Sequence, residues 1–236
     1  MSGHSKWSQI KRTKGVLDKK RGVLFSRLAK QITIAARDGA NPDMNFRLRL
    51  AVLKAREQAM PSDNIERAIK KAGGAEGGAL QSLLYEGYGP AGTAFLIEAA
   101  SENSNRTYQN IRTIFTKNEG AISNQGSVAW HFQSKGQILV ERAANLEDIE
   151  LAAIEAGAAD VRESDEGLEI YTSPEDLEQV KNALAAAGAS IAQAELIMES
   201  SQGVDLTEEQ KLGVQKLFDA LNDDEDVIAV HTSANL

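Results

Sequence analysis

The sequence predicts an α+β fold, with an N-terminal helical domain followed by two α/β domains of ββα type, one inserted in the other. Three observations lead there. Apolar residues recur at helical spacing through the first third of the chain and at strand spacing afterwards. The later runs are ordered β-β-α, then strand, strand, helix, strand, strand, helix, strand, then α-β. Finally, 236 residues exceed what one core usually organises, while the β-β-α piece and the α-β tail are each too small to stand alone. The two fragments therefore pair, giving residues 1–75 as a basic helical domain, 80–126 with 202–236 as a discontinuous α+β domain, and 127–201 as the insert.

A first helix is expected from near Lys19 to about Asp38. Leu24, Leu28 and Ile32 recur every four residues, and Lys20, Arg27, Lys30 and Arg37 gather on the other side. Gly39 breaks it. Asn41-Pro42 reads as an N-cap with proline at the first helical position of a second helix, whose seam is Phe46, Leu50 and Leu53 between basic flanks. Pro61 ends that segment, and Asp63 with Glu66 forms a capping box for a third helix carrying Ile65, Ala68 and Ile69. Residues 73–79, with four glycines, are the best linker.

Beyond the linker, Leu83-Leu84-Tyr85 and Ala94–Ile97 form a hairpin. A helix from about Asn105 to Lys117 follows, with Ile111, Ile114 and Phe115 inward. In the insert, Val128–Phe132, Gln137–Glu141, Asp160–Arg162, Glu169–Tyr171 and Glu195–Met198 are the strands. Its helices carry Ile149, Ala152, Ala153 and Ala156, and then Leu177, Val180 and Leu184, the second starting at Ser173-Pro174. A Thr207–Gln210 capping box opens the last helix, which buries Val214, Leu217, Phe218 and Leu221 before a strand at Val227–Val230.

Charge is distributed very unevenly along this chain. Residues 1–75 hold 17 of the 26 basic side chains and six of the 34 acidic ones, a net of +11; the remaining nine basic and 28 acidic residues leave −19 on the other 161 positions. A cationic front third on an acidic body implies an arm that seeks a polyanion, and nucleic acid is the leading candidate. The segment Lys6-Trp7-Ser8-Gln9-Ile10-Lys11-Arg12-Thr13-Lys14 interleaves cations with an indole and small donors, a mixture suited to phosphates and unpaired bases. Trp7 and Ile10 can equally anchor the arm. The candidate contacts are Lys6, Trp7, Lys11, Arg12, Lys14, Lys19, Lys20, Arg21, Arg27, Lys30 and Arg37.

Other chemistry finds little support. Gly87-Tyr88-Gly89-Pro90-Ala91-Gly92 fits a dinucleotide-loop pattern, but a strand follows it, and no Asp or Glu lies between Asn103 and Asn118 to hold a ribose. His4, His131 and His231 are scattered, cysteine is absent, and no catalytic constellation is recognisable, so neither enzyme, metal nor cofactor is expected. The acidic runs Asp223–Asp226 and Glu163–Glu166 read as solvated turns. No membrane span or secretion signal is apparent, which makes the cytoplasm the simplest address.

Gly3-His4-Ser5-Lys6-Trp7 with Ile10-Lys11, and Met60-Pro61-Ser62-Asp63-Asn64-Ile65, resemble the YebC/PmpR family. Tyr85-Glu86-Gly87-Tyr88-Gly89-Pro90, Asn103-Ser104-Asn105-Arg106-Thr107 and Gly126-Ser127-Val128-Ala129-Trp130 extend the resemblance over nearly the whole chain. Departures are Glu102 in place of Asp, a less glycine-rich Asn118-Glu119-Gly120, and His131 beside Trp130. The resemblance implies three domains and a cytoplasmic DNA-binding transcriptional regulator. It equally brings in relatives regarded as translation factors, including a mitochondrial translational activator and bacterial members linked to relief of ribosome stalling at proline-rich sequences. The expected function is thus non-enzymatic regulation of gene expression through DNA or ribosomal or transfer RNA, with the ribosome as a further partner and no small-molecule substrate. A protein-binding adaptor working through its acidic units is the competing class.

Overall fold

The computed structural model describes residues 21–74, 80–143 and 145–235. The described residues divide into two compact units, a larger one within residues 21–131 and 202–235 and a smaller one within residues 132–201.

The larger unit opens with three helices, α1 (Arg21–Ala35, extended by a 3-10 turn at Ala36–Asp38), α2 (Phe46–Glu57) and α3 (Ser62–Gly73). Leu28, Ile32, Leu48, Val52, Met60 and Ile65 form their common core. In α2 the inward stripe is Leu48, Val52 and Ala55, not Phe46, Leu50 and Leu53, which are only half-buried. Both stripes share the same i, i+4, i+7 spacing, so packing on α1 and α3 selects between them.

The start of α2 also lies later than expected. Asn45 is its cap: Oδ1 accepts from Leu48 N at 3.1 Å, while Nδ2 donates to the carbonyls of Ala35 and Gly39 at 2.7 and 2.8 Å. One buried amide thereby begins α2 and satisfies the end of α1. Asn41 instead accepts from Asp43 N at 3.0 Å, a local turn before the helix. At α3 no side chain caps; the Pro61 carbonyl receives Asn64 N and Ile65 N.

A four-stranded antiparallel sheet follows, in the order β3 (Ala121–Ile122), β1 (Gln81–Tyr88), β2 (Ala94–Ser101), β8 (Val227–Thr232). Of the glycine-rich segment, Gly87 and Tyr88 end β1, and Gly89–Gly92 form the turn to β2. Gly87 permits the close approach of β3, since a Cβ there would sit 2.7 Å from the Ala121 carbonyl and 2.8 Å from the Phe115 ring. Two helices, α4 (Ser104–Lys117) and α7 (Glu208–Asn222), pack Ile111, Phe115, Val214, Leu217 and Leu221 against Phe95, Ile97 and Val227. The capping box of α7 forms as read: Thr207 N donates to Gln210 Oε1 at 2.9 Å and Gln210 N to Thr207 Oγ1 at 3.3 Å.

The smaller unit holds β4 (Phe132–Glu141), α5 (Leu146–Glu155), β5 (Asp160–Ser164), β6 (Gly167–Thr172), α6 (Leu177–Ala186) and β7 (Ile191–Ser200). Its antiparallel sheet runs β5-β6-β4-β7. Ile149 and Ala153 of α5 and Leu177, Val180 and Leu184 of α6 are buried, along with Ile138, Leu139, Val140, Leu168 and Ile170. The two strands expected at Val128–Phe132 and Gln137–Glu141 are in fact one continuous strand beginning at Phe132. Residues 133–136 pair with Leu196–Glu199 of β7, whereas Ala129–His131 forms a 3-10 turn.

Candidate nucleic-acid interface

The cations of α1 are drawn to the C-terminal acidic turn. Asp226 is 3% exposed. Its Oδ1 accepts from Lys30 Nζ at 2.7 Å; its Oδ2 accepts from Arg106 at 2.8 Å, Thr107 Oγ1 at 2.8 Å and Ser101 Oγ at 3.2 Å. Burial alone would raise this carboxyl, but the donors from Lys30, Arg106 and Thr107 outweigh it and bring its pKa to about 2. Lys30 also donates to the Glu225 carbonyl at 2.7 Å, and the Arg27 guanidinium donates to the Asn222 carbonyl. Burial lowers the pKa of Arg27, opposed by Asp223 and Asp224. The run read as a solvated turn is thus partly a buried clasp holding α1, β2 and α4 together.

Around this clasp lies a cleft of about 670 Å³, lined by cations Lys30, Arg67, Lys71 and Arg106 and by acids Glu102, Glu225 and Asp226. Asp226 is committed to Lys30 and Arg106, and Lys71 pairs with Glu102 at 3.1 Å. Arg67, Arg47 and Arg56 are exposed on α2 and α3.

A second buried carboxylate organises the loop before β4. Glu86 accepts from Gly126 N at 2.6 Å, Val128 N at 2.6 Å and Ala129 N at 2.9 Å. Desolvation pushes its pKa up, yet these backbone donors prevail and lower it. The amides of Val128 and Ala129 are thus held by Glu86, and His131 N donates to the Val128 carbonyl at 2.9 Å, which makes this stretch a turn rather than a strand. The loop presents Trp130, which is 62% exposed, stacks on His131 at 3.5 Å between ring centroids, and donates from Nε1 to the Ser127 carbonyl at 3.1 Å.

On the body, α4 carries no acidic residue. Asn103 caps it by accepting from Arg106 N at 3.0 Å. Ile111 and Phe115 are buried, while Asn105, Arg106, Tyr108, Gln109, Asn110, Arg112, Thr113, Thr116 and Lys117 are exposed.

Of the residues read as contacts, Lys6, Trp7, Lys11, Arg12, Lys14, Lys19 and Lys20 lie outside the described residues, and of Arg21 only the helical backbone is described. Arg27 and Lys30 meet the C-terminal turn, and Arg37 donates to the Leu80 carbonyl. The structure thus brings Arg27 and Lys30 together and sets Arg37 at the far end of the same helix. Among the described residues no group of three or more His, Asp or Glu could hold a metal ion, and no helix is long and apolar enough to cross a membrane.

Residues 5–75 match the TACO1/YebC protein N-terminal domain, and residues 80–234 match the TACO1/YebC second and third domain. The chain belongs to the TACO1/YebC family. It is 50% identical over 239 residues to a TACO1/YebC relative from Desulfosudis oleivorans, covering 100% of this chain and 97% of that one. A Chloroflexus aurantiacus relative is 46% identical over 242 residues, covering 100% and 96%. Both carry the name "Probable transcriptional regulatory protein". The crystal structure of a conserved hypothetical protein from Aquifex aeolicus superposes with a TM-score of 0.82 at 40% identity, covering 92% of this chain and 91% of that one. Two of the stretches on which the sequence resemblance rests coincide with the two buried carboxylate networks: Glu86 lies in Tyr85–Pro90, and Arg106 and Thr107 close Asn103–Thr107.

Proposed function

We propose that this chain is a non-enzymatic, cytoplasmic regulator of gene expression that works by binding nucleic acid, with its cationic front third on the phosphodiester backbone. The observation that carries this reading is the charge partition, +11 on residues 1–75 against −19 on the rest. Lysine and arginine displace the counterions condensed on phosphates, and the acidic body limits unspecific wrapping. Lys6, Lys11, Arg12, Lys14, Lys19, Lys20 and Arg21 supply phosphate contacts, with Trp7 on an unpaired base. Arg27, Lys30 and Arg37, already bonded within the chain, add to the field and hold α1 in place. The printed names of the relatives favour transcription.

A second reading, a translation factor acting on ribosomal or transfer RNA, is favoured by one observation. Among the described side chains, Arg27 and Lys30 of α1 and Arg37 of its 3-10 turn donate to the C-terminal turn and to Leu80, so these three form no row of base-reading donors for a major groove. Binding of the full chain and of K11E/R12E/K14E to duplex DNA, structured RNA and purified ribosomes tests both. The proposal requires the triple reversal to lose most affinity for the preferred target. Unchanged affinity for all three would overturn it, and the preferred target decides between the readings.

A further inference from the structure

Helix α4 stands apart from the acidic body that carries it. Over Ser104–Lys117 there is no carboxylate. At about 100° per residue, Asn105, Gln109, Arg112 and Thr116 fall on one line, and Arg106, Asn110, Thr113 and Lys117 on a second line beside it. All eight are exposed. Thr113 and Thr116 bond back to the carbonyls of Gln109 and Arg112 at 2.8 and 2.9 Å, which leaves the amides and cations to face outward. An exposed helix in a chain of net charge −8 would ordinarily pair its cations with Glu or Asp at i±4; within this one those places hold Asn110 for Arg106, Tyr108 and Thr116 for Arg112, and Thr113 for Lys117.

The position of the helix is fixed from beneath. Ile111 and Phe115 are fully buried, and Thr107 Oγ1 and Arg106 are tied to Asp226 at 2.8 Å. From Asn105 to Thr116 the exposed line is about 16 Å long, and a major groove about 12 Å wide admits a helix. Amides both donate and accept, which suits base edges or 2′-hydroxyls, and flanking guanidinium and ammonium groups suit phosphates.

We propose that α4 is a second nucleic-acid contact, laid along a groove with Arg112 and Lys117 on phosphates and Asn105, Gln109 and Asn110 on the groove edges. This rests on the nucleic-acid reading above and adds a surface on the acidic body that the charge partition does not reveal. Arg106, half occupied by Asp226, borders the surface at the rim of the cleft.

The test uses the full chain on a 20-bp DNA duplex, an RNA duplex of the same sequence, and purified ribosomes, at several salt concentrations. R112Q/K117Q is expected to weaken the preferred target about tenfold and to lower the salt slope by about 1.4–1.8, the loss of two phosphate contacts. N105A/Q109A/N110A should weaken binding while leaving the slope unchanged, and K216Q, an exposed position of α7, should alter neither by more than about twofold. Far-UV circular dichroism and melting temperature verify that each variant folds; the two α4 variants share no residue, so either one tests the surface. Loss with R112Q/K117Q supports the proposal, whatever the arm variant does. If both α4 variants bind like wild type while K11E/R12E/K14E does not, α4 is a solvated helix and the reading of the arm stands. If none of the three changes binding, both fall.

Discussion

Asp226→Asn removes a single negative charge from a site with four hydrogen-bond donors, Lys30, Arg106, Thr107 and Ser101. The folded carboxyl titrates at about 2 against an ordinary 3.8. A depressed folded pKa means that the ionised form stabilises the native state fully above 3.8, and that this is lost as pH falls from 3.8 through 2. At 1.36 kcal/mol per unit, the ionised carboxylate contributes about 2 kcal/mol at pH 7. About half of that is gone by pH 3, where the unfolded group is mostly protonated and the folded one mostly charged. Urea denaturation of wild type and D226N between pH 7 and pH 3 measures the difference directly. The gap should be largest at pH 7 and narrow toward pH 3, and amide exchange in α1 should speed up in the variant because Lys30 loses its anchor. A gap that stays constant over that range would refute the clasp.

Glu86→Gln should cost about 2 kcal/mol, because one amide oxygen cannot serve the three backbone donors of Gly126, Val128 and Ala129. In a W7F background, Trp130 emission would report the loosened loop as a red shift, and the effect should fade in acid as wild-type Glu86 itself protonates. Gly167→Ala should destabilise the smaller unit by about 3 kcal/mol or more, as φ is +145° and the new Cβ would lie 1.9 Å from the Val140 carbonyl. Circular dichroism melts should show it at once.

Much of the architecture was legible because it follows from local rules. The helical front third, the hairpin across Gly87–Gly92, the stripe Leu177, Val180 and Leu184, and the Thr207–Gln210 box each depend on residues a few positions apart. What was not legible depends on distant partners. Nothing near Asp226 reveals that Lys30, 196 positions away, and Arg106, 120 away, would bury it, so an acidic run read alone as a solvated turn. Likewise Val128–Phe132 reads as a strand because the claimant of the Val128 and Ala129 amides, Glu86, is about 40 residues upstream. Asn45 displaced Asn41 as a cap because it also closes the end of α1, a tertiary duty that no capping rule encodes. Charge marks the cations of α1 as candidate contacts, and charge cannot tell a cation that faces a phosphate from one that faces the chain's own C-terminal turn. The acid-free stretch between Asn103 and Asn118 was visible in the sequence; only its burial pattern made it a face.

Ultraviolet cross-linking of the full chain to its preferred nucleic acid, with mass spectrometry of the linked peptides, measures contact without assuming which residues make it. The account predicts adducts concentrated in residues 1–37, with a second set on Asn105–Lys117. Adducts confined to Phe132–Ser201, with both of those segments unlabelled, would contradict it.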